Sequence, residues 1–328
     1  VVFSLMSIIQ AFGFGIGMGC GSIISRSLGG KDNDRADRIG SSAFVFAAAV
    51  GLALCAAGLC TLRPLMRLLG STDTILPYAR SYLRIILLGA PYMTASFVLN
   101  NQLRFQGSAA YGMVGIAAGA VLNVGLDLLF ILSFRWGVAG AAGATVLAQL
   151  VSTIGCFIYA FVRYPVLRLH REDWRITLMD VKRHLVRGIP LGLQFSVLAI
   201  GIIVMQGGVV QFDMRDGVMV SNAAQNGFGA ANRLFNLVAT PMNALGGAMT
   251  SFTAQNLGAG QYDRIRRGTL QALGMVSILA ILAAGTGLLL TRGDFCYHVF
   301  LSADKVTEET VRFGNTFLYV DFAMYPFL

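Results

Sequence analysis

Apolar residues in this chain gather in stretches of about twenty or more, separated by shorter polar and charged runs. A stretch of that length, wound as a helix, crosses a hydrocarbon core of roughly 30 Å. Twenty-residue windows place spans at about 1–25, 39–62, 83–103, 113–134, 138–161, 188–211, 218–245 and 270–290, with a ninth, incomplete, from Phe313. The seventh is the most polar. Asn222, Gln225, Asn226, Asn232, Arg233 and Asn236 give it a stripe that is costly against lipid and should face a cavity or the bundle interior. The chain starts and stops inside apolar runs, with no initiator Met and no signal-peptide pattern, so both ends read as cut.

Composition supports the same picture. The 328 residues are 55% hydrophobic and 12% charged, where a soluble domain carries about a quarter charged residues; the mean hydropathy is +0.67. A net charge of +9 would suggest nucleic acid in a soluble protein, but here the basic residues sit in loops between apolar runs. They read as orientation signals and contacts to membrane lipids, with no nucleic-acid partner. Of the 25 Lys and Arg, fifteen fall in the loops after spans one, three, five and seven, nine fall opposite, and Arg233 lies within a span. The richer side is expected to be cytoplasmic, which makes the chain a multi-pass protein of the cytoplasmic membrane. Cys20, Cys55, Cys60, Cys156 and Cys296 form no CxxC pair, and four lie in apolar runs, so they read as packing residues.

An internal repeat divides the chain. At an offset of 229 residues, Gly17, Ser22, Leu28, Gly29, Asp34, Arg35 and Arg38 recur as Gly246, Ser251, Leu257, Gly258, Asp263, Arg264 and Arg267. Tyr82, Leu83 and Pro91 then meet Phe317, Leu318 and Pro326 at an offset of 235. Both copies of the first motif end a span on the same side, so the repeats are parallel. The expected architecture is all-α, a polytopic transmembrane bundle of two pseudo-symmetric lobes: residues 1–165, a basic cytoplasmic linker over 166–187, and residues 188–328.

The sharpest candidate chemistry is Asn123 and Asp127 in the fourth span, one turn apart on one helix face. An ionised Asp in a span costs about 2.5–3.5 kcal/mol on insertion scales, so it is expected to face the interior with a partner. The pair suits a proton or a small hard cation such as Na+, and Thr145 in the next span could add a hydroxyl; a buried pair that only joins helices is the bland alternative. Gln194, Gln225 and Asp321 are weaker candidates for lining a cavity. Gly13, Gly17 and Gly21, at a spacing of four, read as a close-packing face, since no strand precedes them and no GK[ST] follows. His170, His184 and His298 all fall in predicted loops without an HExxH or nucleophile motif, so no enzyme is indicated.

Asn100-Asn-Gln-Leu-Arg-Phe-Gln-Gly, Leu122-Asn-Val-Gly-Leu-Asp-Leu-Leu-Phe-Ile and Gly137-Val-Ala-Gly-Ala-Ala-Gly-Ala-Thr resemble successive signatures of multidrug and toxic compound extrusion (MATE) transporters. Gly188-Ile-Pro-Leu-Gly-Leu-Gln and Thr253-Ala-Gln-Asn-Leu-Gly-Ala-Gly resemble those of that family's second half. The resemblance implies twelve helices in two six-helix lobes, of which this chain would run from the second into the tenth. It also implies an antiporter without cofactors, coupled to Na+ or H+, that exports small lipophilic cations as a monomer, with Asn123, Asp127 and Thr145 at an amino-lobe cation site. Where sodium-coupled relatives can carry a glutamate in the seventh helix, this chain has Leu198. A lipid-linked oligosaccharide flippase of similar architecture is the alternative.

Overall fold

The structure is a computed structural model that describes residues 2–62, 64, 66, 76–163, 177–215, 218–219, 221–291 and 293–324. Among these residues the order is α1 (Val2–Gly29), α2 (Asn33–Cys60), α3 (Leu76–Phe105), α4 (Ala109–Asp127), a π-helical stretch (Leu128–Ser133), α5 (Gly137–Arg163) and α6 (Leu178–Phe212). A two-residue hairpin (Met214–Arg215 with Val218–Met219) leads to α7 (Ala223–Gly258), α8 (Tyr262–Leu290), α9 (Phe295–Phe300) and α10 (Glu308–Met324). The chain is thus an all-α bundle, as expected.

Six described helical segments are long and apolar enough to cross a membrane: Ile8–Gly29, Asn33–Cys60, Leu76–Phe105, Ala109–Ser133, Gly137–Tyr159 and Tyr262–Leu290. The other three expected spans are helical but more polar or shorter. α6 begins ten residues ahead of the expected Gly188 and takes in Asp180, Lys182, Arg183 and Arg187; α7 carries the polar stripe; α10 begins on Glu308 and Glu309. The seventh span also starts later than the apolar window suggested. Asp213, just past α6, accepts the Ala224 and Gln225 amides at 2.9 Å each, which satisfies orphan donors at the α7 N-terminus.

The residues group into two compact units, Val1–Ser196 with Ser251–Gln261, and Val197–Thr250 with Tyr262–Leu328. In the first, α1, α2 and α3 pack together through glycines. A Cβ at Gly13 would lie 2.8 Å from Phe97, and one at Gly17 2.9 Å from Asn101; Gly21 is seated on Phe105 in the same way. The four-residue spacing of the glycines therefore meets a four-residue spacing on α3. A second face, which sequence reading did not separate from the first, sets Gly15 and Gly19 against the backbone of Gly188 on α6, each 3.0 Å from an added Cβ.

The repeat is visible bond for bond in the turns that close α1 and α7. Gly30, Lys31 and Asp32 donate to Arg26, Leu28 and Ser27 at 3.1, 3.1 and 2.9 Å; Ala259, Gly260 and Gln261 donate to Gln255, Leu257 and Asn256 at 3.0, 3.2 and 2.9 Å. Lys31 and Gly260, equivalent at the 229-residue offset, both take positive φ, 60° and 70°. The two motifs also meet within the first unit. A Cβ on Gly29 would strike the Gln255 carbonyl, and one on Gly258 the Arg26 carbonyl, a reciprocal contact. Beside them the Phe105 carbonyl, at the α3 C-terminus, accepts Ser251 Oγ at 3.1 Å, Gln255 Nε2 at 3.0 Å and Ser25 Oγ.

Two histidines lie in helices rather than in the predicted loops; His170 lies outside the described residues. His298 is on α9, 3.4 Å from Asp294. His184, in the polar start of α6, is 2% exposed and stacks on Phe46 at 5.6 Å. Its Nε2 lies 3.1 Å from Ser42 Oγ, whose own hydrogen goes to the Ile39 carbonyl, so Nε2 is the donor and Nδ1 accepts from the Cys20 thiol at 2.9 Å. Neighbouring Asp180 is raised by burial, but hydrogen bonds from Thr177 and the charges of Arg38 and Arg183 outweigh that and hold its carboxyl below the usual range. Burial holds the His184 ring below the ordinary histidine value, with Asp180 opposing and Arg183 assisting. The sign follows from linkage: below about pH 6.5 the unfolded chain takes a proton that the folded ring resists, so stability falls as pH drops. Thermal unfolding in detergent, followed from about pH 8 to 5, should show this loss in the wild type and a flatter profile in His184→Gln. All five cysteines are free, and only Cys60 among them is exposed.

Candidate functional site

α4 lies along α5 with small residues at the contact. A Cβ on Gly115 would collide with Cys156, one on Gly119 would lie 3.0 Å from Ser152, and Ser152 Oγ donates to the Gly115 carbonyl at 2.6 Å. Asn123 and Asp127 continue this stripe at the same spacing of four. Each such step overshoots a 3.6-residue turn by roughly 40°, so the stripe rotates off the α5 contact before it reaches Asp127. There the carboxylate lines an open groove of about 230 Å³ with Val124, Leu128, Ile131 and Leu132.

Both side chains are incompletely satisfied. Asp127 Oδ1 and Asn123 Nδ2 are buried atoms with no hydrogen-bond partner among the described residues. Among the described residues nothing reaches Asp127 Oδ1, the atom for which a partner was expected. A buried unpaired carboxylate oxygen is expensive unless a proton or cation takes it, and hard oxygen ligands suit Na+. Asn123 presents its nitrogen; turning the amide about χ2 would present its oxygen. Asn123 and Asp127 therefore fit a proton or a small hard cation. Thr145 is on α5, half-buried, and its hydroxyl donates to the Ala141 carbonyl of its own helix at 3.0 Å. It does not line the groove of Asp127, although its oxygen keeps lone pairs free to accept.

One local feature had no sequence signal. α4 changes to π-helical winding immediately after Asp127, and the Leu128 amide is shared between the Val124 and Gly125 carbonyls. Such insertions are rare and concentrate at functional positions, because they re-aim side chains on either side. Here the turn is held by aromatic packing. Phe130 is buried, lies 5.1 Å from Trp136 between ring centroids, and its carbonyl accepts the Trp136 amide at 3.0 Å. A Cβ on Gly140 would lie 3.1 Å from Phe130.

The weaker candidates do not converge. Gln194 is exposed on α6. Among the described residues, Gln225, in the first turn of α7, has a buried Nε2 without a partner, and Asp321 is half-buried on α10 with no ion pair.

The MatE family profile matches residues 1–129 and 202–328. Over 322 residues the chain is 25% identical to the probable multidrug resistance protein YoeA of Bacillus subtilis, covering 97% of this chain and 67% of that one. It is 26% identical over 288 residues to a protein named FAD transporter from Shewanella oneidensis, covering 85% and 61%. An outward-facing structure of a multidrug resistance MATE family transporter of the MOP superfamily superposes with a TM-score of 0.86 at 22% identity, over 99% of this chain and 70% of that one. The chain thus spans about two thirds of the length of these proteins, two of which are named as transporters. A profile that covers most of the sequence, together with the shared helical fold, establishes that this chain belongs to the MatE family.

Proposed function

We propose that the chain forms the central part of a secondary active exporter of small organic molecules, lipophilic cations foremost, working as an antiporter driven by Na+ or H+ in the cytoplasmic membrane. The observation that carries this reading is Asp127: a carboxylate with a buried oxygen unpaired among the described residues, one turn from an Asn123 amide nitrogen in the same state, and at a π-helical break. In this reading Asn123 and Asp127 hold the coupling ion, and Thr145 joins them when α4 and α5 shift. Gln194, Gln225 and Asp321 contribute to the path of the exported molecule.

Coupling has a thermodynamic condition. The ion must bind one conformation better than the other, and so must the exported molecule, because equal binding to both shifts nothing. One charge entering down 100 mV releases about 2.3 kcal/mol, equivalent to a roughly fiftyfold concentration ratio. The test is efflux of ethidium from cells expressing the complete gene, with the sodium and proton gradients collapsed one at a time. Efflux should stop on loss of one gradient, which names the ion; efflux indifferent to both would overturn the antiporter.

A further inference from the structure

α7 has two opposite faces. Ala231 and Leu234 are buried against Leu318 and Phe322 of α10, with Phe235 and Val238 beside them. Arg233, Asn236, Thr240 and Asn243 recur at steps of three, four and three, and all are exposed. At 100° per residue these four fall within an arc of roughly 80°, on the side away from α10. The polar residues are therefore not spent on joining α7 to the bundle.

Their hydrogen bonding is uneven. Asn236 Nδ2 donates to the Asn232 carbonyl at 2.7 Å, and the Thr240 hydroxyl to the Asn236 carbonyl at 2.7 Å. Arg233 makes no ion pair with any described residue. Among the described residues of its unit no carboxylate pairs with it: Asp213 caps the α7 N-terminus, Asp294 is beside His298, and Asp321 is on the helix packed against the other face. Arg233 lies ten residues past the start of the 36-residue α7, within the span expected over 218–245. A guanidinium turned to lipid within a span costs up to about 2.5–3.5 kcal/mol on insertion scales, the full amount at its centre. A face that is open among the described residues and costly against lipid suits a wet space, and it brings there a cation with five donors and no ion pair among the described residues.

We propose that this face recognises an anionic group, a carboxylate or phosphate, on a small molecule carried by the transporter. Arg233 takes two oxygens of that group in a forked pair of hydrogen bonds, and Asn236 and Asn243 hydrogen-bond polar groups further along. Arg233 to Asn243 spans about 15 Å at 1.5 Å per residue, a length suited to an extended amphiphile. The proposal rests on the exporter reading for why a ligand passes this face, and it widens the substrate class from cations to molecules that carry negative charge.

Equilibrium binding separates the two ideas. Carboxyfluorescein and ethidium are titrated, by fluorescence anisotropy, into purified protein in uncharged detergent, for wild type, Arg233→Gln and Arg233→Lys. The wild type is expected to bind carboxyfluorescein, with affinity falling as salt rises. Arg233→Gln should weaken it about tenfold or more, Arg233→Lys should recover part of the loss, and ethidium binding and melting temperature should stay unchanged. Carboxyfluorescein binding that is absent in the wild type, or equal in all three, overturns the proposal. A dependence on Arg233 seen only with fluorescent phosphatidylglycerol would also overturn it, making the site a headgroup contact. Ethidium efflux that fails in cells while Arg233-dependent binding persists would remove the exporter and leave the anion site standing.

Discussion

Asp127→Asn is expected to reduce gradient-driven efflux at least tenfold while leaving the amount of protein in the membrane unchanged. The side chains have nearly the same shape, so the groove with Val124, Leu128, Ile131 and Leu132 stays filled to the same extent. Asp127 Oδ1 has no hydrogen-bond partner to lose among the described residues. Removing the charge also removes an insertion penalty of about 2.5–3.5 kcal/mol, so the variant should be at least as stable as the wild type. It loses the ability to bind and release a proton, and the negative charge that would hold Na+. Ethidium efflux and quantitative immunoblotting of membranes, measured on the same cells, separate the two effects. Normal efflux in the variant would make Asp127 structural; lost protein would show that the carboxylate holds the fold.

Gly29→Ala and Gly258→Ala are each expected to destabilise the protein by about 1–3 kcal/mol. The added methyl would meet the Gln255 carbonyl in one case and the Arg26 carbonyl in the other. Backbone in the last turn of a helix cannot swing aside as a side-chain tip can, so the α1 and α7 termini must move apart. That movement also strains the bonds that Ser25, Ser251 and Gln255 make to the Phe105 carbonyl. The comparison is Gly246→Ala and Gly125→Ala, where an added Cβ meets nothing within 4 Å. Those should be neutral, or stabilising by about 0.5–1 kcal/mol as helix interiors prefer Ala to Gly. Melting temperatures in detergent decide this, with about 2–4 °C expected per kcal/mol for a domain of roughly 150–250 residues. Equal shifts at all four positions would mean that the close approach is not real.

Local spacing was readable where the physics is local. Gly13, Gly17 and Gly21 announced a packing face because helix geometry alone brings every fourth residue to one side, and Phe97, Asn101 and Phe105 occupy that face. The 229-residue repeat announced matching turns, and their hydrogen bonds agree bond for bond. The histidines were misplaced because polar residues between two apolar runs look like a loop, whereas α6 extends its helix through them and buries His184 against α1 and α2.

The sequence by itself determined that the chain is an all-helical membrane bundle of the MatE type, and which polar side chains sit inside apolar stretches, since hydrophobic length and residue spacing are one-dimensional properties. Only the tertiary structure decided which of those groups have partners. It left Asp127 Oδ1 unpaired among the described residues at a π-helical turn, kept Thr145 bonded to its own helix, and turned Arg233 away from α10. Satisfaction of a polar group depends on what a second helix brings within about 3 Å of it, and that distance is set by packing between residues far apart in the chain.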